Sequence, residues 1–281
     1  MQIPECKLKH WVLSHLILAF LLLLALIQLQ QIIDNNLKLS ILNIGQGDSI
    51  LIQTPEYKNI LTDAGMSDKV VDELGKQLGF FDKTIDLFIM THPDRDHYAG
   101  ILDVLQKYEI KQVMITGISN PDPLYESFLE QIQSKNIPII FPQNDEDMQI
   151  GQNTYLDIIY PFAGQSLVGQ AVKNKNDTSV VTRLTDSDYN SLALLTGDAE
   201  HALEKEILLE GQYVQSPILK LGHHGAKTST SIQFLSAVHP QTAVISAGED
   251  NQFGHPHKET MEKVDHLEVL QTSEGTITFN F

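Results

Sequence analysis

The hydrophobic pattern divides the chain into two unequal parts. Residues 11–29 are almost unbroken apolar sequence with no polar face, centred on Leu21-Leu22-Leu23-Leu24. From residue 38 the apolar runs become short and are separated by turn residues, a pattern of strands, with stretches of helical spacing between them. Residues 39–44 and 49–53 read as a hairpin around Gly45-Gln46-Gly47-Asp48, and residues 58–62 as a third strand ending at Asp63-Ala64-Gly65. Residues 70–78 have helical spacing, and residues 86–91 form a short buried strand ahead of His92. A helix resumes at Ile101, Leu102, Val104 and Leu105, followed by a strand at Val113 and Ile115, a helix over 125–132 and a strand over 137–141. The order then repeats in kind. Residues 155–160 are a strand, 179–184 and 191–196 a hairpin, 203–209 a helix, 218–221 a strand and 232–238 a helix. Residues 243–246 are a strand, 257–264 a helix and 276–281 a closing strand. Strands before helices, twice over, predict an α/β chain with two sheets packed face to face and helices outside, in one domain over residues 38–281.

The apolar N-terminal run needs a different explanation. At about 1.5 Å per helical residue, residues 11–29 nearly span a hydrocarbon core of about 30 Å. Lys7 and Lys9 precede the run and Asp34 follows it. The positive-inside rule leaves residues 1–10 in the cytoplasm and sends the rest outward, giving a single-pass protein with an extracytoplasmic domain. A cleaved signal peptide, which would make the domain secreted, is the competing reading. A buried globular helix fits worst.

Candidate chemistry gathers where strands end. His92-Pro93-Asp94-Arg95-Asp96-His97 packs two imidazoles and two carboxylates into one turn after an apolar strand. These are ligand types for Zn²⁺, Mn²⁺ or Fe²⁺. Three later strand ends add Thr196-Gly197-Asp198, then Gly222-His223-His224-Gly225 with Lys227, Thr228 and Ser229, then Gly254-His255-Pro256-His257. Six of the eleven histidines lie in these stretches, as a site assembled from several segments requires. His10, His15, His239 and His266 have no such company and read as structural or surface residues.

Composition narrows the chemistry. The single cysteine, Cys6, excludes a disulfide framework and a multi-cysteine zinc site within one chain, so a metal must rest on His and carboxylate. Nineteen basic against 36 acidic residues give a net charge of -17. That charge works against a broad electrostatic grip on nucleic acid.

The ordered set of motifs resembles the metallo-β-lactamase superfamily, and within it the extracytoplasmic domain of ComEC-type competence DNA-uptake proteins. The likeness rests on Asn43-Ile44-Gly45-Gln46-Gly47-Asp48, Asp63-Ala64-Gly65, His92-x-Asp94-x-Asp96-His97 with Gly100, Asn176-Asp177-Thr178-Ser179, Thr196-Gly197-Asp198, His223-His224-Gly225 and Gly254-His255-Pro256-His257. It covers residues 38–281 and includes nothing like the multi-spanning channel of those proteins. It implies an αββα metallo-β-lactamase sandwich preceded by one transmembrane helix, with two divalent ions, Zn or Mn, at one edge. His92 and Asp94 would hold the first ion, Asp94 standing where most members carry His. Asp96, His97 and His223 would hold the second, and Asp198 would bridge them. A third His between the opening motif and Asp198 is absent, which leaves the first ion to be completed by water, Asn176 or Asp177. Asp63 and His224 would support the ligands from behind.

The resemblance further implies metal-dependent hydrolysis with metal-bound hydroxide as nucleophile, Asp96 orienting that water. Lys227 would bind phosphate oxygens and His255 would protonate a leaving group. A solvated loop lysine and a helix-capping histidine are the ordinary alternatives for these two. The expected substrate is a phosphodiester, single-stranded DNA included, although the acidic surface suits a small phosphoester at least as well. A fold that has lost turnover and serves as a scaffold, or a hydrolase of lactones or thioesters, remains the alternative. No protein partner is indicated; the membrane is the partner of the N-terminal helix.

Overall fold

The computed structural model describes residues 5–33, 36–143 and 147–281, with side chains described for 10–24, 36–143 and 147–281. Two compact units result: one holding the N-terminal helix Glu5–Ile33, the other running from Leu37 to Phe281. The described apolar side chains of that helix, Trp11, Leu16, Leu18 and Leu21 among them, are exposed around it. The expected anchor at residues 11–29 falls within this helix, and its last five residues lie outside the described side chains. Among the described residues no helix is long and apolar enough to cross a membrane.

The larger unit contains two seven-stranded sheets. The first runs Ile277–Asn280, Lys38–Ile41, Ile50–Gln53, Asn59–Thr62, Leu87–Ile89, Val113–Met114, Ile139–Ile140. The second runs Glu268–Gln271, Thr242–Ile245, Ile218–Lys220, Ser191–Leu195, Val181–Asp186, Thr154–Tyr160, Met148–Gln149. Each sheet is antiparallel in one half and parallel in the other.

Period-two alternation explains the layering. Ile50, Ile52 and Ile60 pack between the sheets with Leu184, Leu195 and Val244. Their neighbours Leu51 and Leu61 face the other way, packing with Val70, Leu74, Val104 and Phe128 of the first sheet's helices. Leu194, Leu219 and Ala243 likewise pack against Leu203, Phe234 and Val264 of the second sheet's helices. The expected two sheets with outer helices are therefore present. Most element ends shift by a residue or two: the helix expected over 70–78 is Lys69–Gln77, and the strand expected over 137–141 is only Ile139–Ile140, while the strand expected over 39–44 is Lys38–Ile41 and ends three residues early. The pattern gave no hint of the strands Met148–Gln149 and Glu268–Gln271, nor of the small parallel pair Thr84–Ile85 and Glu109–Ile110.

Parallel pairing matters for position. Ser191–Leu195, Ile218–Lys220 and Thr242–Ile245 run in one direction, so Asp198, His224 and Ser246 leave their carboxyl ends at one edge. From the other sheet, Thr91 after Leu87–Ile89 accepts from the Val180 backbone N–H at 2.9 Å, bringing His92 to the same edge.

Candidate metal centre

Three imidazoles meet at this edge, each held by its far nitrogen. His224 Nδ1–H donates to the Ser246 carbonyl at 2.8 Å, and a carbonyl only accepts, so Nε2 is the atom left to take a proton or a metal ion. His97 Nδ1–H donates to Asp63 Oδ2 at 2.7 Å with the same result. Asp63 also accepts the Thr91 backbone N–H at 2.8 Å and the Thr91 hydroxyl at 2.7 Å. With its proton committed there, the Thr91 hydroxyl accepts from His92 Nδ1–H at 3.1 Å, which fixes the third ring. All three Nε2 atoms are buried and make no hydrogen bond, and neither does Asp198 Oδ1.

Buried polar atoms are normally paired, so four orphans at one point fit the binding of a cation. The spacing agrees. Asp198 Oδ2 lies 3.1 Å from His97 Nε2 and 3.3 Å from His224 Nε2, while Asp96 Oδ2 is 3.4 Å from His224 Nε2. Ligands at about 2.0–2.2 Å from a tetrahedral ion stand about 3.4 Å apart, so these ion-pair spacings are also those of ligands around a common ion. His92, His97 and Asp198 form one such group and Asp96, His97 and His224 another. The residues fit divalent ions.

The electrostatics fit as well. Burial would push Asp198 up, yet His224 and His97 outweigh it and hold the carboxyl well below the usual range. Asp96 is held low in the same way, burial again being outweighed by His224 and His97. Burial would lower His97, but Asp198 and Asp63 raise it well above an ordinary histidine; Asp198 and Asp48 do the same for His224. The cluster attracts positive charge, proton or metal.

Several sequence expectations change here. His224, expected behind the ligands, faces Asp96 and Asp198, whereas His223, expected as a ligand, turns its Nδ1 to Glu200 Oε1 at 2.9 Å. Its Nε2 stays 3.9 Å from Asp198 Oδ2. The two rings diverge because both residues adopt left-handed backbone angles, φ 47° and 55°. Asp94 Oδ2 lies 3.7 Å from His92 Nε2, but its Oδ1 is paired with Lys175 Nζ at 2.6 Å. Burial would raise Asp94, but the nearby His92 ring and the Lys175 ammonium outweigh it and hold the carboxyl at about 2. Asn176 and Asp177 do not complete the first ion: Asn176 Nδ2 contacts His223 Nδ1 at 3.2 Å, and Asp177 accepts from Asn174. His255 stacks among rings, its centroid 5.3 Å from His223. Burial first, then His224 and His223, push its pKa down to about 4, so at neutral pH it carries no extra proton to donate. Lys227 is exposed, with its backbone N–H on His257 Nδ1.

The lysine at the centre is Lys220, which the motif reading passed over. Its side chain is fully buried, ion-paired with Asp48, donating to the Gly197 carbonyl at 3.0 Å and standing 3.8 Å from Asp198 Oδ1. Asp48 reaches it because Gly47, at φ +116°, brings the turn against Asp96, where an added Cβ would meet the Asp96 carbonyl oxygen at 2.1 Å. A lysine between Leu219 and Leu221 in an apolar strand was the available signal, since a buried ammonium requires a carboxylate. A separate cavity of about 740 Å³, lined by Ile60, Met114, Ile140 and Ile158 among others, includes none of these residues.

The chain is similar to several known proteins. ComE operon protein 3 of Bacillus subtilis is 26% identical over 266 residues, covering 87% of this chain and 33% of that protein. Competence protein ComA of Neisseria gonorrhoeae is 25% identical over 258 residues, covering 88% of this chain and 32% of its own length. The chain thus spans about a third of these curated relatives. The crystal structure of the metallo-beta-lactamase fold protein YhfI from Bacillus subtilis superposes with a TM-score of 0.53 at 13% identity, covering 86% of this chain and 99% of that one. Residues 42–249 match the family model of the metallo-beta-lactamase superfamily, whose members are metal-dependent hydrolases, and the chain belongs to that superfamily.

Proposed function

We propose that this protein is a metal-dependent phosphodiesterase, anchored by its N-terminal helix, with its hydrolytic domain outside the cytoplasm and a phosphodiester, single-stranded DNA included, as its substrate. The observation that carries the hydrolytic reading is the convergence of three unpaired Nε2 atoms on Asp198. The DNA reading is supported by the likeness to a competence protein over 88% of this chain. The anchor is supported by the unbroken apolar run at residues 11–29.

In this reading His92, His97, Asp198, Asp96 and His224 hold two divalent ions, Zn or Mn. Bound there, the ions supply Lewis acidity and an activated water. The remaining roles belong to the chain. Asp63, Thr91 and the Ser246 carbonyl hold the rings in one tautomer. Lys220 fixes Asp48 and offsets carboxylate charge behind Asp198. Glu200 accepts from His223 Nδ1–H, which leaves His223 Nε2 facing the site to take or return a proton. Thr228 and Asn174 steady Glu200, their donors at 2.6 and 2.8 Å.

The test is metal analysis of the full-length protein paired with hydrolysis of bis-p-nitrophenyl phosphate after adding Mn²⁺ or Zn²⁺, with Asp198→Ala as control. About two ions per chain and turnover lost in the control are expected for a two-ion hydrolase. Full activity in Asp198→Ala would overturn the assignment. A protein without metal or turnover would point to a scaffold, and metal without diester turnover to lactones or thioesters.

A further inference from the structure

The loop after the strand Thr242–Ile245 carries a feature that metal binding does not explain. Phe253 leaves 49% of its surface exposed. A single exposed apolar side chain is ordinary, so exposure alone argues nothing. The ring's neighbours do. It stacks on His255, centroids 5.7 Å apart and planes 23° apart. His255 in turn lies 5.3 Å from His223 and 5.9 Å from His224. The exposed rings of Phe80, Phe81 and Tyr189 instead pair with one another or with Tyr155.

The platform is also rigid. Asn251 ties its loop with four hydrogen bonds: Nδ2 donates to the carbonyls of Gly248 and His255, and Oδ1 accepts from the backbone N–H groups of Phe253 and His255. Gly248 N–H donates to Gln46 Oε1 at 3.3 Å, and His257 N–H to the Gly225 carbonyl at 3.0 Å. Gly225, at φ +80°, packs against Pro256, where an added Cβ would stand 2.8 Å from the proline Cβ. A ring fixed before its ligand arrives loses little freedom on binding.

We propose that Phe253 and His255 form a stacking platform for one planar base of the substrate, beside the centre that takes its phosphate. The proposal rests on the phosphodiesterase reading and names the substrate class: a phosphodiester carrying a heterocyclic base, from a single strand or a dinucleotide. The charge pattern favours this mode. The net charge is -17, and beside the platform exposed Glu249 and Asp250 offset the exposed Lys227 and Lys258, so this face is mixed in charge rather than a cationic track. Stacking needs no cation and accepts any base, because every base has a π-face. Lactones and aliphatic thioesters have none.

The test compares binding of two phosphorothioate strands of equal length, oligothymidylate and an abasic strand, to the full-length Mn²⁺-loaded protein by fluorescence anisotropy. The wild type is expected to prefer the base-bearing strand by about tenfold. Phe253→Ala and Phe253→Leu should lose that preference, the latter keeping bulk without the aromatic face, and Phe253→Trp should keep it. No preference in the wild type, or an undiminished one in Phe253→Leu, would overturn the proposal. Thymidylyl-thymidine competing as well as the strand would identify a dinucleotide as the source of the base, and competition by the strand alone a single strand. Hydrolysis is not read, so a wild type inactive on bis-p-nitrophenyl phosphate would refute the phosphodiesterase while the base preference is still decided here.

Discussion

Asp63 and His97 share a hydrogen bond of 2.7 Å between two fully buried side chains. The carboxylate can only accept, so it fixes a proton on His97 Nδ1 and turns Nε2 toward Asp198, where it takes either a proton or a metal ion. Asp63→Asn is the cleanest probe, because asparagine tolerates the left-handed backbone at this position, φ 58°. The amide offers either a donor or an acceptor, and the tautomer is no longer imposed. Metal affinity measured by calorimetry should fall about 10–100-fold. An unchanged affinity would show that the ring is held by its packing alone.

The adjacent histidines separate in a second experiment. His224→Ala removes an Nε2 that faces Asp96 and Asp198, and should cost bound metal. His223→Ala removes a ring held by Glu200, and should keep its metal while turnover drops by about 10²–10⁴-fold. Metal content by elemental analysis tells the two apart. Metal lost from His223→Ala and kept in His224→Ala would restore the ligand set expected from sequence.

That pair shows where the sequence stops being legible. The two sheets could be read because Ile50, Leu51 and Ile52 alternate between two apolar surroundings. The opening motif could be read because His92, Asp96 and His97 follow a buried strand in one turn. Two consecutive histidines carry no such information: which one faces the metal depends on backbone angles that no spacing encodes. Lys220 between Leu219 and Leu221 signalled a buried ammonium, but its partner Asp48 was opaque, since their pairing is created by the sheets meeting at one edge. Two-residue strands such as Met148–Gln149 are too short to alternate.

Lys220 leads to a prediction about stability. Its ammonium and the Asp48 carboxylate are both 1% exposed, so removing one strands the other. Burial pushes Asp48 up, while Lys220 and then His224 outweigh it and lower its pKa. A lowered carboxyl contributes stability above its unfolded value, lost as pH falls through the folded one. Lys220→Met should therefore destabilise the metal-free protein by about 3–5 kcal/mol in urea unfolding at neutral pH. Much of that loss should be recovered in Lys220→Met/Asp48→Asn. A loss under about 1 kcal/mol would be that of a surface pair and would contradict the buried pairing.

The histidines supply the opposite sign. His97 and His224 sit well above the ordinary value of 6.5, burial being outweighed by Asp198 together with Asp63 or Asp48. In the metal-free protein these imidazoliums contribute stability that is complete below 6.5 and is lost as pH rises through the raised values. A metal needs the same Nε2 atoms deprotonated, so ion and proton compete for one place. Affinity should rise with pH, and binding should release about one or two protons at neutral pH. Calorimetry in buffers of different ionisation enthalpy counts them directly. Release of none would mean that the rings are already neutral, and that Lys220 rather than protonated histidine balances the buried carboxylates before metal arrives.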